Sequence, residues 1–239
     1  MLHHAGPAVH RIGPLSSNVR PHKRMSDSTA DKLSFLALGW LLGLLGPIIV
    51  DSVKRRRENI LGRAAILTEL TELAGILATA AYGARMRLRT VDRVFLEWLK
   101  ASLELCATTP KLQAFVPRLR TQLSWTDEQL LTVAQHMASE DGKGTMLQHY
   151  PVPLLDARVS ALWSFDTSFQ RQLLEIRRNI AILDDVVDRS RKYFDMTFTK
   201  LEGNNYELVA GNLTQSYELY AERAMSIVDQ IKTLRAVGR

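Results

Sequence analysis

One cysteine, Cys106, is all that 239 residues contain, so no intrachain disulfide can staple the fold and no thiolate cluster can bind a metal. That scarcity fits a reducing compartment. Missing too is any convincing run of alternating apolar and polar residues, which excludes a sheet as the organising element. The +6 net charge suggests a polyanion partner until it is located along the chain. Residues 1–24 hold four basic and no acidic side chains, residues 51–63 hold five basic against two acidic, and residues 64–239 are neutral in sum. With no basic patch in the body and no recognisable nucleic-acid module, nucleic acid is not an expected partner. A chain that is 46% hydrophobic and 23% charged can still bury a sizeable core, so disorder throughout is excluded as well.

The most informative absence is of charge. From Leu33 to Val50 the chain reads LSFLALGWLLGLLGPIIV, a helix of about 27 Å that matches the hydrocarbon thickness of a bilayer. A buried core helix of this length would carry a polar face, and GPIIVDSVK offers no small-residue cleavage site for a signal peptidase. A single membrane helix over 33–50 is therefore expected, in contact with the lipid bilayer. Lys54, Arg55, Arg56 and Arg57 follow it directly and are expected to meet anionic lipid headgroups and hold this side in the cytoplasm. Within twenty residues of the span the basic count is five after and four before, a near tie that becomes five against one if translation starts at Met25. Pro7, Pro14 and Pro21 break the amphipathic helix an organelle transit peptide needs, so residues 1–32 read as a disordered tail outside the membrane. Arginine far outnumbers lysine, which suits a GC-rich bacterial genome, and the span is then expected in the bacterial inner membrane. Inside the span, Gly39 and Gly43 form a G-x-x-x-G with Gly46 beyond, a spacing that lets two helices approach closely and could make a homo-oligomer. Pro47 is expected to kink the helix.

The remainder reads as all-α. Ile66, Leu70, Leu73, Leu77, Ala80 and Ala84 repeat at four-three spacing, and Leu88, Val91, Phe95, Trp98 and Leu105 continue after a one-residue shift, which predicts a long helix broken once. LAGILATAAYGA (73–84) is too short to span and should pack in a core. Pro110 and Pro117 mark a connection, and Thr126 with Gln129 resembles a capping box opening a short helix. DGKGTMLQHYPVP (141–153) is the main loop, separating helices at 51–140 from a second unit at 154–236. There Leu155, Val159, Leu162, Phe169, Leu173, Ile176, Ile180, Leu183, Val187 and Phe194 share one register in which only Asp166 and Ser190 are polar. After GNN (203–205), Tyr206, Ala210, Leu213, Tyr217, Tyr220, Ala224, Ile227, Ile231 and Leu234 repeat it. Two matched seams predict a long antiparallel, coiled-coil-like hairpin, with Asp166 as a register-fixing buried acid.

Chemistry is sparse. Asp184, Asp185 and Asp188 in LDDVVDRSRK have a D-D-x-x-D spacing that resembles the magnesium-binding motif of the prenyl diphosphate synthases. That resemblance implies a second acidic motif on a facing helix, because magnesium needs near-octahedral oxygen coordination shared with phosphate. Only scattered acids follow, Glu207, Glu218, Glu222 and Asp229. Asp185 four before Arg189, and Asp188 four before Lys192, read instead as helix-surface pairs. GKGT (142–145) lacks the upstream glycine and preceding strand of a phosphate loop, and His136 and His149 have no ligand-spaced partner. The reading is a non-enzymatic, membrane-anchored helical bundle serving as scaffold, sensor subunit or effector, without a cofactor. The alternative is a membrane-tethered enzyme using Asp184, Asp185 and Asp188 to hold magnesium against a diphosphate or lipid substrate.

Overall fold

The computed structural model describes residues 27–106, 108–137, 146–199 and 205–237. Among the described residues all regular structure is helical, and the chain divides into two compact units, residues 1–54 and 55–239. Helix α1 (Asp27–Leu88) contributes to both. Residues 27–32, expected as disordered tail, are its first turns, the helical run extending back from the apolar segment that follows. Residues 1–26 lie outside the described part. In the first unit the apolar run is long and apolar enough to cross a membrane, and none of its most apolar window is buried. Pro47 sits within the helix without ending it.

The second unit holds the core. Ile66, Leu70, Leu73, Leu77 and Ala84 of α1 are buried, as the four-three pattern requires, whereas Ala80 is only partly buried and its neighbour Ala81 is covered instead. The helix ends where the register shifts. Thr90 N–H bonds Arg85 C=O (3.0 Å) and Arg89 N–H bonds Met86 C=O (3.2 Å), a paired C-terminal motif that places Arg89 at φ 59°, a position usually given to glycine. Asp92 then accepts from Phe95 N–H at 2.7 Å and starts α2 (Arg93–Cys106). Here Leu96, Leu99 and Leu103 form the buried stripe with Phe95, while Leu105 is 40% exposed, so the expected seam was rotated by about one residue. Pro110 and Pro117 do not mark a plain connection. Pro110 occupies the first turn of α3 (Pro110–Gln113) and Pro117 that of α4 (Phe115–Leu123), where a missing N–H costs nothing. The capping box forms as expected: Thr126 N–H bonds Gln129 Oε1 (2.9 Å) and Gln129 N–H bonds Thr126 Oγ1 (3.2 Å), opening α5 (Asp127–Met137).

The register from 155 to 194 is not one helix. Pro153 opens α6 (Pro153–Ala157), a 3₁₀ helix covers Val159–Ser164, and α7 (Thr167–Met196) starts afresh. Asp166 is its N-cap, accepting from Phe169 N–H at 2.9 Å, with a side chain 56% exposed and 3.5 Å from Arg63. It is a cap, not a buried seam acid, because a short carboxylate satisfies an otherwise orphaned helix N–H better than a core would tolerate it. Leu155 and Leu162 remain buried because the short elements fold into the same core. From Phe169 through Val187 the seam holds, with Ser190 its buried polar member. Helix α8 (Asn205–Val237) presents Leu213, Tyr217, Tyr220, Ala224, Ile227, Ile231 and Leu234 as buried residues, whereas Tyr206 is 47% exposed. Residues 203 and 204 of the expected turn lie outside the described residues, as does GKGT. Helices α7 and α8 pack on each other. Asn179 donates to Gln230 Oε1 at 3.0 Å, and Thr197 lines a cleft with Ala210, so the two run antiparallel. Across α2, Trp98 Nε1 donates to Asp229 (3.0 Å).

Two substitutions test this account. Ile180→Asp places an unpaired charge in the α7–α8 seam at a cost of several kcal/mol, which should lower Tm by roughly 10 °C in a thermal melt. Asp166→Ala should cost about 1 kcal/mol, a drop of about 2–4 °C. If Asp166 were a seam residue its removal would stabilise the protein instead.

Candidate functional site

Residues 146–152 carry no regular structure and form a strap that leads into α6. At that end, Glu69 of α1 accepts from Leu154 and Leu155 N–H, both at 2.8 Å, and Asp156 meets Arg177 at 2.8 Å. Within the strap, His149 places Nδ1 2.8 Å from Asp184 and Nε2 3.0 Å from Asp188. Asp184 and Asp188 are one helical turn apart, hence on one face of α7, and their spacing fits the two nitrogens of one imidazole. Neutral imidazole carries a single N–H, so satisfying both carboxylates calls for the imidazolium. The hydrogen bond to Asp184 raises the His149 pKa above the ordinary histidine value against the opposing effect of burial, with Asp188 and both negative charges adding to the rise.

This arrangement corrects two sequence expectations. His149 does lie in a loop, but two carboxylates hold it, and Asp188, expected as a surface partner of Lys192, is one of them. Arg189 Nε bonds the Asp185 carbonyl at 3.4 Å, so the expected pairing with the Asp185 carboxylate gives way to a backbone contact. Asp185 is exposed while Asp184 is half-buried, and the three carboxylates do not converge. Among the described residues no group of three His, Cys, Asp or Glu side chains is placed to hold a metal ion.

Behind His149 the strap covers a cavity of about 310 Å³ between α1 and α8, lined among others by Met86, Arg87, Leu147, Tyr150, Tyr217 and Tyr220. The Arg87 guanidinium lies 4.7 Å over the Tyr217 ring, a favourable cation–π geometry. Tyr150 and Tyr220 are hydrogen-bonded, and burial pushes the Tyr217 and Tyr220 hydroxyls up, that of Tyr220 strongly. Protonated phenols and a guanidinium can bind and orient a ligand but supply no base or nucleophile at neutral pH. Cys106 is fully buried, and burial raises its thiol pKa, leaving it unreactive.

Of the remaining candidates, Lys54, Arg56 and Arg57 are exposed; the side chain of Arg55 lies outside the described part. A Cβ at Gly39, Gly43 or Gly46 would meet nothing within 4 Å. The His149 clamp had no local sequence signal, because its partners lie 35 and 39 residues away. Comparison with known protein families, curated proteins and solved structures finds no match.

The clamp makes stability depend on pH with a definite sign. Because the folded pKa of His149 is raised, its contribution is complete below the unfolded value of about 6.5 and is lost as pH rises through the folded value. NMR titration should place the His149 midpoint above about 6.5, with Asp184→Asn lowering it more than Asp188→Asn. The stability advantage of wild type over His149→Gln should shrink on alkalinisation; an advantage constant with pH would show that His149 holds the strap without charge.

Proposed function

We propose that this protein is a single-pass membrane protein whose helical body lies in the cytoplasm and works by binding, as a scaffold, sensor subunit or effector. The observation that carries this reading is the apolar run of α1: its most apolar window is wholly uncovered, and exposed Lys54, Arg56 and Arg57 follow it at once. Apolar surface of that length is stable in lipid, and the basic residues favour the cytoplasmic side. The excess of arginine over lysine suits a GC-rich bacterial genome, and the membrane proposed is accordingly the bacterial inner membrane. Gly39, Gly43 and Gly46, with open space around them, support self-association within the membrane. The strap-covered cavity, lined by Arg87, Tyr150, Tyr217 and Tyr220, offers a place where a ligand is bound and sensed, which supports a binding role. The magnesium-enzyme alternative would require Asp184 and Asp188 to leave His149.

Topology gives the direct test. A reporter active only in the cytoplasm, fused after Arg239, should be active, and a periplasm-dependent reporter should be silent. Replacing Arg55, Arg56 and Arg57 with Gln should erode that bias and weaken contact with anionic lipid by about 1 kcal/mol per side chain. Magnesium should leave the Tm of the whole protein unchanged; a rise with metal concentration would favour the enzyme reading, since only native-state binding stabilises.

A further inference from the structure

Beyond the apolar run, α1 keeps an uncovered face inside the second unit. Ile60 and Leu61 are 61% and 59% exposed, although Asn59 and Gly62 beside them face the body. Asn59 Nδ2 donates to the Ser164 carbonyl at 3.3 Å, and a Cβ on Gly62 would lie 2.6 Å from Arg158 Nη1. Ile60 is one turn beyond Arg56 and Arg57, which places all three on one side of the helix. Trp163, adjacent to Ser164 on the 3₁₀ helix, is 71% exposed. Ile60 and Leu61 thus lie exposed on α1 beside Arg56 and Arg57, Trp163 lies exposed next to the residue that Asn59 contacts, and Arg158 packs on Gly62, with Glu58 the acid nearest in sequence. Arg63 is engaged by Asp166.

We infer that this face of the body, Ile60, Leu61 and Trp163 framed by Arg56, Arg57 and Arg158, docks on the surface of an anionic bilayer. The chemistry fits that occupant: tryptophan favours the membrane–water boundary, and arginines meet lipid phosphates while aliphatic side chains enter the acyl margin. Ile60 follows Val50 by only ten residues in the chain, so an anchored chain holds the face at high effective concentration near lipid. The inference thus rests on the membrane-anchored reading. Docking would fix the body against the bilayer and leave the His149 strap to act as its variable part.

The test uses the full chain in phosphatidylcholine vesicles, with and without phosphatidylglycerol, brominated high on the acyl chains. The fluorescence difference between wild type and Trp163→Phe isolates Trp163, whose exposure makes that variant safe for folding. That difference should be quenched by brominated lipid, more strongly when phosphatidylglycerol is present, and each of Arg56→Gln, Arg57→Gln and Arg158→Gln should weaken the contact about fivefold. Quenching by aqueous acrylamide but not by brominated lipid would place Trp163 in water and overturn the inference. Protection from both would mean that protein, such as a second copy, covers the face, and would overturn it equally. The difference between wild type and Trp40→Phe, read with deeply brominated lipid, reports the span separately. A quenched Trp40 with an unquenched Trp163 defeats the docking face alone, whereas the reverse retains the face and defeats the span.

Discussion

The body depends on the seam between α7 and α8. Ile176, Leu183 and Val187 on one helix and Tyr220, Ala224, Ile227 and Ile231 on the other are almost wholly buried, and α2 reaches that pair through the bond from Trp98 to Asp229. Small residues at Ala221 and Ala224 allow the backbone of α8 to approach its neighbours, and the large side chains on either side fill the space that remains. Burying each such side chain contributes about 1.5–3 kcal/mol, against a net stability of about 5–15 kcal/mol for a whole domain. The loss of a few seam contacts would therefore dissolve the platform, not merely loosen it. The Asn179–Gln230 bond, polar within an otherwise apolar contact, restricts the helices to one register, since any slip leaves two amides unpaired.

The ionic anchors are secondary to that platform. Asp184 and Asp188 can clamp His149 only because Val187 and Leu183, packed into the seam, fix the rotation of α7 and turn the carboxylates toward the strap. Glu69 is placed in the same way by the buried stripe of Ile66 and Leu70. Each anchor joins a partly exposed charge to the strap, and such contacts contribute less than core burial does. The strap is thus the part of the body most easily changed by pH or by a ligand beneath it, while the seam stays intact.

What the sequence revealed follows the range of each interaction. Four-three periodicity reports burial one turn at a time, so the faces of α1, α7 and α8 were legible, as was the Thr126–Gln129 box, whose partners are three residues apart. The break at Asp166 was missed because Leu155 and Leu162 stay buried on separate short elements and so prolong the apolar period through a region that is not one helix. The local signal was present in Ser164, Asp166 and Thr167, cap-forming residues just before Phe169. In α2 the seam was misplaced because Leu105 is as apolar as Leu103, and only tertiary packing decides which is covered. The roles of His149 and Asp184 could not be read at all: their contact joins segments 35 residues apart, and nothing local requires it.

The uncovered run of α1 raises a question of magnitude. Eleven large apolar side chains between Leu33 and Val50 are each at least 40% exposed. Even at about 1 kcal/mol apiece for partial exposure, the transfer energy is on the order of ten kcal/mol, comparable to the stability of a whole domain. Such a surface does not persist in water, so it must be taken up by lipid or by apolar protein. Under the membrane-anchored reading proposed above, the flanks favour lipid. An apolar protein groove gains nothing from a row of cations at one end of the segment, whereas a bilayer has an anionic boundary at the depth where Lys54, Arg56 and Arg57 emerge. The apolar length and the basic boundary together fit a slab with a charged face, and neither property alone would distinguish that slab from another protein.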